Sequence, residues 1–135
     1  MAYRNLVEEY KKNAVNSASP LKLVIMLYDG ALRFMESGKE AILQKDYSRQ
    51  NDYLQRAQKI VLELMSSLDM ESGGEIAHNL MSLYSYVLQQ LINANVYDQT
   101  DPVDTSIKIM SELRLSWMTL EDQLKTNSEE IAHAA

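Results

Sequence analysis

Two short strings in this chain have the residue types and spacing of metal ligands: Glu75–His78 and Glu130–His133, each E-x-x-H. On a helix, an i, i+3 pair puts a carboxylate and an imidazole on one face. Helical bundles use two such strings, plus a Glu from each remaining helix, to hold a pair of iron or manganese ions. The spacing argues against that chemistry here. His78 stands two residues from Ile76 and points roughly 160° away from Leu80, the expected core direction. In an antiparallel bundle the residue level with His78 lies near Leu120, not His133. No metal and no other cofactor is expected. Gly73-Gly74 lacks the lysine and flanking strand of a phosphate loop. No nucleophile-elbow sequence is present. The chain is read as a non-enzyme.

The elements that carry these residues are helical. The chain has 135 residues, one domain's worth, and can bury roughly two-thirds of its unfolded surface without staples. Ser19-Pro20 reads as an N-cap followed by Pro at the first helical position, opening a helix over 20–44. Asp46 caps a second helix with the seam Leu54, Ala57, Val61, Leu64 and Leu68. Ser72 and Glu75 fit a capping box ahead of a third. Asp101-Pro102 opens a fourth, with Ser106, Met110, Leu113, Trp117, Leu120 and Leu124 on its seam. Trp117 is expected in the core and Tyr86 in solvent. No alternating run bounded by turns argues for strands. The predicted fold is all-α: an antiparallel four-helix bundle over residues 19–126, a leader over 1–18 packed on it, and a flexible tail over 127–135.

Charge and composition remove several functions. The net charge is −6, with no basic cluster beyond Lys11-Lys12, so nucleic acid and anionic membrane are not expected partners. The longest apolar run, 23–28, is too short to cross a bilayer, and the N-terminus is not a secretory signal. The absence of cysteine suits a reducing cytoplasm.

What remains is a surplus of apolar surface on two helices. On the first, Val24, Leu27, Ala31, Phe34, Gly38 and Ala41 form a seam expected to face the core. Leu21, Ile25, Tyr28, Leu32 and Met35 form a second seam, expected to face a partner. On the third helix, Ile76, Leu80, Leu83, Val87, Leu91 and Ala94 are expected inward. Ala77, Met81, Tyr84, Leu88 and Ile92 form a flank. Grooves of this type accept an amphipathic helix or an extended apolar segment. Leu6, Val7 and Tyr10 of the leader are expected to cover part of the groove in the free protein. The alternative is a helical adaptor or a homodimer that buries the same patch against another folded chain.

The residues also resemble a known family. Tyr10-Lys11-Lys12-Asn13-Ala14-Val15-Asn16-Ser17-Ala18-Ser19-Pro20 leads into Leu21-Lys22-Leu23-Val24-Ile25-Met26-Leu27-Tyr28-Asp29-Gly30-Ala31. Gly73-Gly74-Glu75-Ile76-Ala77, Asn79-Leu80, Leu83-Tyr84, Tyr86, Leu91, Ala94-Asn95 and Trp117 follow in order. This set is similar to the flagellar secretion chaperone FliS family, from about Tyr10 to Trp117. The resemblance implies a cytoplasmic helical bundle that binds the disordered C-terminal segment of flagellin. It implies a block on premature polymerisation and delivery of flagellin to the flagellar type III export apparatus, without nucleotide. It also implies that the N-terminal segment covers part of the site. Tyr10, Leu27, Tyr28, Tyr84 and Asn95 match the family pattern. The wider partner-binding set of Leu21, Ile25, Leu32, Met35, Met81, Leu88 and Ile92 rests on periodicity. Gln89-Gln90 departs from the basic residues common there in the family. The free protein is expected to be a monomer or weak homodimer.

Overall fold

A computed structural model describes the backbone of residues 20–134 and the side chains of residues 20–127. The cap at Ser19, the leader with Leu6, Val7 and Tyr10, and the side chains of Glu130 and His133 lie outside the described residues. Four helices follow one another: α1 Pro20–Leu43, α2 Tyr47–Ser66, α3 Gly74–Tyr97 and α4 Asp101–Ala134. Each packs on its sequence neighbours, and α4 returns to α1, so the bundle closes as a ring of antiparallel pairs. Lys39–Asp104 at 2.7 Å and an Arg114–Asp29 pair tie α1 to α4. Among the described residues, no helix is long and apolar enough to cross a membrane.

Local chemistry sets the helix ends. The Asp46 carboxylate accepts the Arg49 N–H at 3.2 Å, as an N-cap should. At the end of α1, the Asp46 N–H donates to Ala41 O and the Lys45 N–H to Ile42 O. This is a Schellman closure with Lys45 at φ 58°, a position that favours glycine. The expected Ser72–Glu75 capping box does not form. Asp69 instead collects the N–H groups of Glu71 and Ser72, and Gly73 stands at the N-cap of α3 with no side-chain bond. A side chain on Gly73 would collide with Asp69 O, so the tight turn needs glycine there. The fourth helix continues to Ala134, past the end expected near Thr126. No Gly or Pro follows Pro102 to stop it.

The core corrects the assignment of the apolar rows. Tyr28 and Met35, expected to face a partner, are fully buried, and Ile25 is buried too. Ala31, Gly38 and Ala41 are buried as expected, but Val24, Leu27 and Phe34 are only half-buried. Phe34 lies against Tyr53, with Arg56 over its ring. On α3, Ala77 and Tyr84 from the flank are inside, whereas Ile76 and Leu83 are exposed. The physical reason is a pair of phenols. Tyr28 of α1 and Tyr84 of α3, on helices that are not neighbours in the ring, hydrogen-bond hydroxyl to hydroxyl in the core. Their rings sit 6.3 Å apart and tilted. The pairing satisfies two polar tips that would otherwise be costly to bury.

At the other end of the bundle lies a polar clasp. The buried Gln50 amide donates to Asn95 O and Oδ1 at 3.3 Å and to Asp98 Oδ1 at 2.8 Å. Asn95 in turn donates to Asn51 Oδ1. The clasp locks the start of α2 to the end of α3.

Burial raises the ionisation of both Tyr28 and Tyr84 above the usual tyrosine range, because it disfavours the phenolate. The stability this confers is intact below about pH 10 and falls as pH rises towards the folded values. Replacing both tyrosines by Phe is expected to flatten that alkaline loss in denaturation curves. At neutral pH, Tyr28→Phe and Tyr84→Phe should each cost about 1–3 kcal/mol, since each leaves one buried hydroxyl unpartnered. The double variant should cost no more than the worse single. Lys45→Gly should raise stability by about 0.5–1 kcal/mol by relieving the left-handed position, as read by thermal melts.

Candidate functional site

With Tyr28, Met35 and Tyr84 inside the core, the accessible apolar surface lies elsewhere. On α1, Leu21, Leu27 and Leu32 are half-buried. On α3, the bond from Asn95 to Asn51 fixes which side faces α2. Leu88 and Met81 lie seven and fourteen residues before Asn95, on the same row, and both are half-buried. Ile92 lies beside them and is 37% exposed. These three form one flank of α3. Asn95 shares the row, but its amide is engaged in the clasp.

The flank of α3 towards α4 carries Leu83 and Tyr86, 37% and 48% exposed. Across from it, α4 presents half-buried Leu113 and exposed Leu120 and Leu124. Of this second stripe, helical spacing alone exposes only Tyr86; it puts Leu83 and Leu120 in the core, whereas the structure exposes them, and Ile76 with them. The Tyr28–Tyr84 bond draws the Tyr84 row inward and rolls Leu83 out.

A cleft of about 240 Å³ opens at the end of the bundle where α1 and α3 begin. Val24, Leu64, Leu68, Leu80, Tyr84 and Trp117 line it, with Asp69 and Gly73 at its edge. Trp117 is half-buried against the core, and its indole nitrogen is buried without a hydrogen-bond acceptor. The Asp69 carboxyl is held below the usual range by the N–H and the hydroxyl of Ser72 and, less, by the N–H of Glu71. The cleft is open and apolar, and the Trp117 indole nitrogen in its wall lies near the Tyr28 hydroxyl.

His78 is exposed on the outer face of α3. Among the described residues, no cluster of three His, Cys, Asp or Glu side chains could hold a metal ion. The strongly perturbed buried groups are the two phenols of the core, which bond to each other, and Tyr84 also borders the cleft.

Comparison with known proteins places this chain in a family. A family model described as flagellar protein FliS matches residues 3–124. The flagellar secretion chaperone FliS of Campylobacter jejuni is 37% identical over 108 residues, covering 80% of this chain and 84% of the relative. That of Vibrio cholerae is 36% identical over 118 residues, covering 84% and 87%. That of Bacillus subtilis is 32% identical over 117 residues, covering 87% and 86%. A crystal structure described as a flagellar chaperone from bacteria shares the fold, with a TM-score of 0.73 at 15% identity, covering 86% of this chain and 97% of that one. A match over nearly all of the bundle, with relatives above 30% identity, is decisive: the chain belongs to the FliS family of flagellar secretion chaperones, which are not enzymes.

Proposed function

We propose that this chaperone binds the C-terminal segment of flagellin in the cytoplasm, keeps it from polymerising early, and passes it to the flagellar type III export apparatus. The observation that carries this reading is the pair of apolar flanks on α3 in a chain of this family: Met81, Leu88 and Ile92 on one side, Leu83 and Tyr86 on the other. A segment that folds on binding typically buries ~1,000–3,000 Å² and must offset its own ordering cost. Two parallel apolar tracks along one helix supply surface for that, at ~25 cal/mol per Å² of apolar area. Leu21, Leu27 and Leu32 of α1 offer further half-buried surface. Tyr28, Met35 and Tyr84 then support the site from beneath by setting the roll of α1 and α3, and Ile25 does the same for α1. The free protein is a monomer or a weak homodimer on this reading.

Titration with a peptide of the last ~50 residues of the same organism's flagellin tests this. The expected result is saturable 1:1 binding with a gain of helical circular dichroism. Leu83→Asp and Ile92→Asp, both at exposed positions, should each weaken binding at least tenfold while leaving the melting temperature within a few degrees. No binding at high micromolar peptide, together with a concentration-dependent dimer in sedimentation, would replace the reading with a self-associating adaptor.

A further inference from the structure

Charge is distributed unevenly over this bundle. Between Ile76 and Tyr97, α3 contains no Asp, Glu, Lys or Arg. Its solvent-facing positions include Ser82, Ser85, Tyr86 and Gln89, all exposed. The other helices carry charges throughout their lengths, including Asp29, Arg33 and Glu36 on α1 and Arg56, Lys59 and Glu63 on α2. The neutrality does not stop at the edges of α3. Asn51 marks the row of α2 that faces α3, because it accepts from Asn95. The helical period continues that row through Gln55, Gln58, Leu62 and Met65, all uncharged. On α4, Arg114 bonds to α1, so the opposite side faces α3. That side runs Ile109, Leu113, Ser116, Leu120 and Gln123, again without charge.

Three rows of neutral residues therefore make one panel. Helix axes pack ~8–10 Å apart, so the panel is about 20 Å wide. It is about 30 Å long. That footprint approaches one partner's share of a standard protein interface, ~800 Å². In a chain of net charge −6, solvation alone gives no reason to keep such a surface neutral. Loss of charge is what marks the buried centre of an interface. A charge pressed onto this panel would be stripped of water and would meet no counter-ion.

We infer that this neutral panel, centred on Ser85 and Gln89, selects its client by excluding charge. The segment that lies across it is an amphipathic stretch whose polar positions are Ser, Thr, Asn or Gln. The amides of Gln55 and Gln89, each with one N–H already given to Asn51 or Asn93, and of Gln58 offer their carbonyls and remaining N–H groups to such groups without requiring an ion pair. This deepens, and rests on, the client-binding function proposed above.

The test is a charge scan of the same flagellin C-terminal peptide against the intact protein. Each polar position of the peptide is replaced in turn by Glu and, separately, by Lys, and affinity is measured by calorimetry. The expected result is a set of positions spaced three and four apart at which both Glu and Lys weaken binding at least tenfold. At those positions Gln89→Lys or Ser85→Lys should restore the Glu peptides and not the Lys peptides. Both variants lie on exposed sites, and circular dichroism confirms their fold. Tolerance of both charges within about twofold everywhere would overturn the inference while leaving client binding in place. So would opposite effects of Glu and Lys, which report the long-range field of the protein rather than exclusion. If the unsubstituted peptide fails to bind, the client reading falls and the panel's role falls with it. A dimer that Gln89→Lys dissociates would assign the panel to a second copy and also overturn the inference.

Discussion

A hydrogen bond between two buried phenols organises this bundle. Tyr28 and Tyr84 sit on helices that are not neighbours in the ring, and each hydroxyl is the other's partner. Neither could be buried alone without leaving a donor or acceptor stranded in an apolar medium. Meeting in the middle fixes the height of α1 against α3 and the rotation of both. The rest of the layer follows: Met35, Leu54, Leu91 and Met110 fill the core towards one end, and Trp117 closes against it near the other. The rotation that brings Tyr84 in also turns Leu83 and Tyr86 out. The exposed apolar stripe is thus a by-product of how two polar tips are satisfied inside.

Much of the architecture was legible in the residues. Four helices, the Asp46 cap, the narrow seam of α2 and the start of α4 at Asp101-Pro102 follow from local rules that tertiary structure did not override. The roll of α1 and α3 was not legible. Both helices carry two apolar rows less than a third of a turn apart, and spacing of three and four does not say which row points at the centre. Tyrosine misled in addition: a residue with a polar end reads as a boundary residue, and nothing local announces that another tyrosine 56 positions away will satisfy it. Ser72 and Glu75 failed as a cap because Asp69 had taken the Ser72 N–H from outside the motif. The candidate site suffered most from this. Leu88, Met81 and Ile92 stand near the surface as expected, whereas Ile25, Tyr28, Met35 and Tyr84 went to the interior.

The family match and the geometry address different questions. The match places the chain among flagellar secretion chaperones. On the function proposed above, an extended client lies on the most apolar and least charged face of the bundle. α3 is the centre of that surface on three counts: its apolar flanks, its lack of charge, and its position between two rows of neutral residues on α2 and α4.

The two ends of the bundle are built to different stiffness. At one, the Gln50 amide clamps the end of α3, and two three-residue connections hold four helix termini together. At the other, the connection between α2 and α3 is longer, the cleft beside Trp117 is unfilled, and α4 runs on beyond its neighbours. Thermal breathing will therefore be graded along the long axis, with the clasped end as a fixed pivot and the cleft end as the place where helices part first. A ligand that needs the helices to spread gains entry at the soft end and leaves the pivot undisturbed. Its release can begin there too, one helical turn at a time, without the whole bundle having to loosen.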